Sequence, residues 1–275
     1  MKGDAIRLFL GPALLFVLTT ENVRAVEAIN QKLPPSALHL FVLAGQSNMA
    51  GRASVEAIDK QIDPRVFVLD ESLHWKPAVD PLHFDKPQVD GVGIGKSFAI
   101  AYADANPGVN VGLIPCAVGG TSIKVWAPSA FHKQTKTHPW DDGLVRIQAA
   151  LKDGELKGIL WHQGESDTNQ YSAPKYEQRL TELIQRYRST FHAPDVPFII
   201  GQLGQFKERP WNKYRTMVDA AQKNVCEKDS ACGFVSSDNL VHGGDNAHFS
   251  SSSVREFGRR YYHAYSLLTE NQLVH

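Results

Sequence analysis

Six strand-length apolar runs, rich in Val, Ile and Leu, recur at residues 38–44, 66–69, 109–116, 158–162, 196–203 and 233–236. They carry few charges, which suits strands covered on both faces, the habit of parallel sheets. Between them lie stretches with helical spacing, at residues 94–104, 143–152, 173–191, 214–226 and 251–268. In the third, Tyr176, Leu180, Leu183, Ile184 and Tyr187 fall at i, i+4, i+7, i+8 and i+11 and form one apolar stripe. Residues 250–253, all serine, supply capping candidates for the last helix. Strands alternating with helices predict an α/β chain, a parallel sheet between two helical layers. Residues 70–95 are rich in Pro, His and Asp and lack a period, which predicts a long loop near a functional site. No repeat or linker interrupts the pattern, so one domain with a core at residues 38–268 is expected.

Composition narrows the function. Over 275 residues, 43% are hydrophobic and 21% charged, which excludes a disordered chain, a collagen and a coiled coil. Lys and Arg number 29 and so do Asp and Glu, with no basic stripe, so no nucleic-acid partner is expected. Residues 1–25 have the layout of a signal peptide: Lys2 and Arg7, an apolar run from Leu8 to Leu18, then Val23-Arg24-Ala25. Cleavage there leaves a domain of residues 26–275, secreted or periplasmic, with no membrane span. Cys226 and Cys232 flank a short polar segment and could close a small disulfide loop in such a compartment, whereas Cys116 reads as a buried free thiol. No Cys or His spacing suggests a zinc site, and no cofactor is expected.

In an open parallel sheet, ligands bind beyond the carboxyl ends of the strands. Four polar, Gly-containing segments follow strands here: 45–49, 117–122, 163–167 and, after the last strand, 245–248. Ser47 leaves the first strand in a Gly-flanked turn, where a rigid hydroxyl could act as nucleophile given a nearby base, or simply cap a helix. Asp245 and His248 are three apart, so a carboxylate could orient an imidazole. Gly119 or Gly120 could present a backbone N–H, and Gln163 a side-chain amide, to an oxyanion. Glu165 and Asp167 are expected to support these residues. The G-x-S-x-G elbow of α/β-hydrolases is absent, since Met49 stands in its last position.

The segments Phe41-Val42-Leu43-Ala44-Gly45-Gln46-Ser47-Asn48-Met49-Ala50-Gly51, Pro115 to Ile123, Trp161 to Asp167 and Asp245-x-x-His248 resemble, in order, the blocks of the SGNH hydrolases. They are most similar to the branch of sialate O-acetylesterases and carbohydrate esterase family 6. The resemblance covers nearly all of residues 26–275. It implies a flavodoxin-like α/β/α sandwich with a five-stranded parallel sheet, and Ser47, His248 and Asp245 as nucleophile, base and orienter. It implies an oxyanion hole from the Ser47 and Gly119 N–H groups and the Gln163 side chain. Gln46, Asn48, His83, Gly120 and Glu165 are expected against the substrate or behind the reacting groups. The implied substrate is an acetylated carbohydrate, such as acetylxylan or an acetylated sialic acid. A carbohydrate-binding protein without turnover, and a lipase or thioesterase on the same fold, are the alternatives. The sequence is silent on oligomeric state. Trp126, Trp140 and Tyr171 could stack on sugar, although buried packing explains any one of them as well.

Overall fold

The computed structural model describes residues 37–272, so the signal-peptide reading lies outside the described residues. Seven strands form one sheet: β1 (Leu38–Gly45), β2 (Val66–Leu69), β3 (Trp75–Pro77), β4 (Val111–Pro115), β5 (Gly154–His162), β6 (Phe198–Gly201) and β7 (Cys232–Val235). Their spatial order is β3-β2-β4-β1-β5-β6-β7. Six strands run parallel, and β3 is an antiparallel edge paired to β2. The expected five-stranded sheet is therefore extended. β7 matches an apolar run already visible in the sequence. β3 falls inside the segment expected to be a loop, because three residues ending in proline show no alternation to read.

The helices are α1 (Ser47–Ala50), α2 (Gly95–Ala105), α3 (Pro139–Ala150), α4 (Tyr176–Thr190), α5 (Lys213–Glu227) and α6 (Ser251–Gln272). Period-2 alternation in β1 divides its side chains between two cores. Leu38, Leu40, Val42 and Ala44 join the core under α3, α4 and α5. Phe41 and Leu43 join the core under α2 and α6. There Phe41 meets Phe98 and Tyr102 edge-on, each with ring centroids 4.8 Å apart. On the other face Trp126 meets Trp161 at 5.1 Å and Trp140 meets Tyr187 at 4.9 Å. Both Trp126 and Trp140 are buried, so neither is a platform for sugar, while Tyr171 is 76% exposed.

Helix α3 begins four residues before its expected start. Pro139 at its first turn, followed by Asp141 and Asp142, favours initiation there. Asn212 caps α5 by accepting from the N–H groups of Tyr214 and Arg215. Ser250 accepts from the N–H of Ser253 at the start of α6. Cys226, in the last turn of α5, is disulfide-bonded to Cys232 at the start of β7. Cys116 is free and buried, and burial pushes its thiol up to about 11. Among the described residues no helix is long and apolar enough to cross a membrane.

Candidate active site

β1 lies at the centre of the sheet, hydrogen-bonded to β4 on one side and β5 on the other. Its last residue, Gly45, has φ +126°. A Cβ there would sit 2.1 Å from the carbonyl oxygen of His162. Only glycine allows this approach, and it seats the turn bearing Ser47 directly on the end of β5. The N–H of Gln46 then donates to that same carbonyl at 2.8 Å. Ser47 opens the one-turn helix α1.

The loop between β7 and α6 brings His248 to Ser47 from 201 residues away. His248 Nε2 lies 3.0 Å from Ser47 Oγ. Its Nδ1 lies 2.5 Å from Asp245 Oδ2. A carboxylate only accepts, so Nδ1 carries the proton given to Asp245, and the neutral ring's Nε2 accepts from the Ser47 hydroxyl. The other Asp245 oxygen accepts from the N–H groups of Ala247 and His248 at 2.9 and 2.8 Å. Burial opposes the charge on Asp245, but those N–H groups and the imidazole outweigh it and hold the carboxyl at about 2. The three side chains open into a cleft of about 510 Å³, also lined by Arg52, Lys86, Gly120 and Gln134.

The donors expected for an oxyanion are arranged differently. The Gly119 N–H donates to Asp85 Oδ2 at 2.7 Å. Gln163 is wholly buried and does not line the cleft. Its Nε2 donates to Thr121 O at 2.9 Å and Asp167 Oδ2 at 2.7 Å, with Gln46 Oε1 at 3.2 Å, and its Oε1 accepts from the Tyr176 hydroxyl. Two amide hydrogens are thereby spent inside the protein, so the Gln163 side chain braces three strand-end loops and does not face the reacting atoms. Among the described residues the N–H groups of Ser47 and Gly120 have no acceptor.

Of the two positions expected for His83, the structure gives the one away from the substrate. It is buried and does not line the cleft, and burial pushes its pKa down to about 4. Gln46 is buried too, its side-chain oxygen facing Gln163 and the Ser166 N–H. Asp167 accepts from the Ile123 N–H at 2.7 Å, and burial raises its pKa despite that bond and the one from Gln163.

An ion pair absent from the sequence reading borders the cleft. Arg52 Nη2 and Asp85 Oδ2 are 2.7 Å apart, with side chains 6% and 4% exposed. Arg52 also donates to the Gly51 carbonyl. A Cβ on Gly119 would come within 2.5 Å of the guanidinium, so the glycine leaves room for the pair. The only sequence signal was position: Arg52 follows the first block, and Asp85 lies in the long segment at residues 70–95. Among the described residues no cluster of His, Cys, Asp and Glu could hold a metal ion.

The model of the carbohydrate esterase, sialic acid-specific acetylesterase family matches residues 37–267. This chain belongs to that family. A probable carbohydrate esterase of Arabidopsis thaliana is 31% identical over 257 residues, 86% of this chain and 93% of the relative. The X-ray structure of the Arabidopsis protein superposes with a TM-score of 0.74 at 28% identity, covering 84% of this chain and 99% of that one. A carbohydrate acetylesterase from Xanthomonas citri shares the fold, with a TM-score of 0.66 at 19% identity over 85% of this chain and 57% of that chain. The protein is thus a carbohydrate esterase of the α/β type.

Removing one partner of a buried ion pair leaves a charge without compensation. Asp85→Ala is expected to cost about 3–5 kcal/mol of stability, and the Asp85→Ala/Arg52→Met double variant clearly less. Urea unfolding of the single and double variants checks this. A double variant no more stable than Asp85→Ala would mean that the orphaned guanidinium is not what costs the stability.

Proposed function

We propose that the protein hydrolyses O-acetyl esters on carbohydrates through Ser47, His248 and Asp245. The observation that carries the proposal is the continuous hydrogen-bonded line from Ser47 Oγ through His248 to Asp245, open to a polar cleft. In the first step the Ser47 oxygen attacks the acetyl carbonyl carbon, and its proton passes to His248 Nε2. The tetrahedral oxyanion collapses, the bond to the sugar oxygen breaks, and His248 gives its proton to that oxygen. Water then attacks the acetyl-Ser47 ester, with His248 again taking and returning a proton, and acetate leaves. Among the described residues the N–H groups of Ser47 and Gly120 have no acceptor and serve the oxyanion, since that of Gly119 is held by Asp85. The cleft presents Arg52, Lys86 and Gln134, which suits a polar sugar ester better than a long acyl chain.

Export through residues 1–25 is part of the same reading, and the disulfide between Cys226 and Cys232 fits an oxidising compartment. Amino-terminal sequencing of the processed protein should then begin at Val26. A start at Met1 in the mature protein would discard export by this signal.

Ser47→Ala should lower acetate release from an acetylated sugar by about 10⁴-fold or more while leaving the fold intact. A variant keeping a tenth of wild-type turnover would remove Ser47 as nucleophile. An octanoyl ester turned over as well as an acetyl ester would point to the lipase alternative.

Asp245 is held at about 2, so it stays ionised throughout the neutral and mildly acidic range. A loss of kcat/KM above pH 4 is therefore not protonation of this carboxylate. Asp245→Asn removes the charge that favours the imidazolium, so its acidic limb should lie at lower pH than that of wild type. The plateau should drop by up to about 10⁴-fold, because the ring loses the partner that sets its tautomer. A pH profile of both proteins decides it, and an unchanged plateau would take Asp245 out of the mechanism.

A further inference from the structure

Asn48 follows Ser47 in α1 and is 2% exposed. Every hydrogen-bonding position of its amide facing the protein is used. Nδ2 donates to Glu165 Oε1 at 2.8 Å and to the carbonyl of Ala247 at 3.3 Å. Oδ1 accepts from the N–H of Phe249 at 3.2 Å. Ala247 and Phe249 are the two neighbours of His248, so one side chain grips the backbone on both sides of the imidazole-bearing residue. That side chain belongs to the residue next to Ser47.

Glu165 reinforces the way round that the Phe249 N–H and the Ala247 carbonyl set for this amide. A carboxylate can only accept, so Nδ2 must face it, and the oxygen is left for Phe249. Glu165 lies on the turn after β5, its side chain 12% exposed, with His162 Nε2 3.5 Å from Oε1. Burial opposes its charge, but His162 and Asn48 outweigh burial, and the carboxyl titrates below the ordinary glutamate range.

We propose that Asn48, braced by Glu165, is a positioning residue that sets the distance between His248 Nε2 and Ser47 Oγ by clamping the backbone at 247 and 249. The proposal rests on the reading of Ser47 and His248 as the reacting pair. Neither Asn48 nor Glu165 needs to touch substrate for it to hold. Misplacement of a reacting group by about 1 Å can cost on the order of 10² in rate, so the clamp should appear in kcat and not in KM.

The test measures kcat and KM for acetyl-ester hydrolysis and the rate at which a fluorophosphonate labels Ser47. The proteins are wild type, Asn48→Ala, Glu165→Gln, Glu165→Ala and Ser47→Ala, each checked for folding by its thermal midpoint. Asn48→Ala should lower kcat about 10²-fold with KM within about threefold, and slow labelling in parallel. Glu165→Gln keeps an oxygen for Nδ2, so it should stay within about fivefold of wild type, whereas Glu165→Ala should lose more than about tenfold. A kcat for Asn48→Ala within threefold of wild type overturns the proposal. So does a raised KM at unchanged kcat, which would place Asn48 on the substrate. If Asn48→Ala fails to fold, the two Glu165 variants decide, and equal kcat in both overturns the clamp. Full activity in Ser47→Ala would instead overturn the reading of Ser47 and His248, and the clamp with it. A dead Ser47→Ala beside a fully active Asn48→Ala would overturn the clamp alone.

Discussion

The site depends on how closely two backbones meet where β1 and β5 end. Gly45 places its Cα where any side chain would strike the His162 carbonyl, and Gln46 closes the gap with a hydrogen bond to that carbonyl. The close contact makes the turn after β1 and the turn after β5 a single rigid corner. Ser47 stands on one side of this corner and Glu165 on the other. Asn48 spans them, and the loop carrying Asp245 and His248 is fastened onto the result. A looser corner would let the hydroxyl and the imidazole drift independently.

Behind the corner, polar groups are spent on one another. Gln163, Asp167, Thr121, Tyr176 and Gln222 form a buried hydrogen-bonded group that ties the loops after β4 and β5 to α4 and α5. Burial requires such donors and acceptors to be paired as far as possible, and within this group Asp167 Oδ1 and Gln222 Oε1 are left without a partner among the described residues. The requirement explains why Gln163 turns inward: the Asp167 carboxylate and the Thr121 carbonyl are strong acceptors in a dry place, and an amide nearby satisfies both. On the cleft side, Asp85 takes up the Gly119 N–H while neutralising Arg52.

Much of the architecture was legible because buried parallel strands and amphipathic helices leave coarse, local patterns. The runs at residues 66–69 and 38–44 coincide with β2 and nearly all of β1, and the stripe of Tyr176, Leu180, Leu183, Ile184 and Tyr187 is the buried face of α4. The meeting of Ser47 with His248 was legible for a topological reason, since both follow strands whose carboxyl ends share one edge of the sheet. Side-chain direction was not. Whether Gln163 faces the cleft or the interior turns on Asp167 and Thr121, which come from separate loops. His83 and Asp85 are two residues apart, yet the first is sealed in the interior and the second reaches the cleft's border. Arg52 and Asp85 are 33 residues apart, and only the finished fold joins them.

The short strand β3 shapes how this molecule meets its own copies. Without it β2 would be the outermost strand, a flat apolar ribbon of Val66, Phe67, Val68 and Leu69 with free backbone groups along one side. A ribbon of that kind is a template for pairing with any passing strand. β3 covers it with three residues running the opposite way, the middle one an exposed Lys76 and the last, Pro77, without an N–H to offer. The sheet therefore stops at this edge, and a crowded solution of the protein is protected there from growing by strand addition.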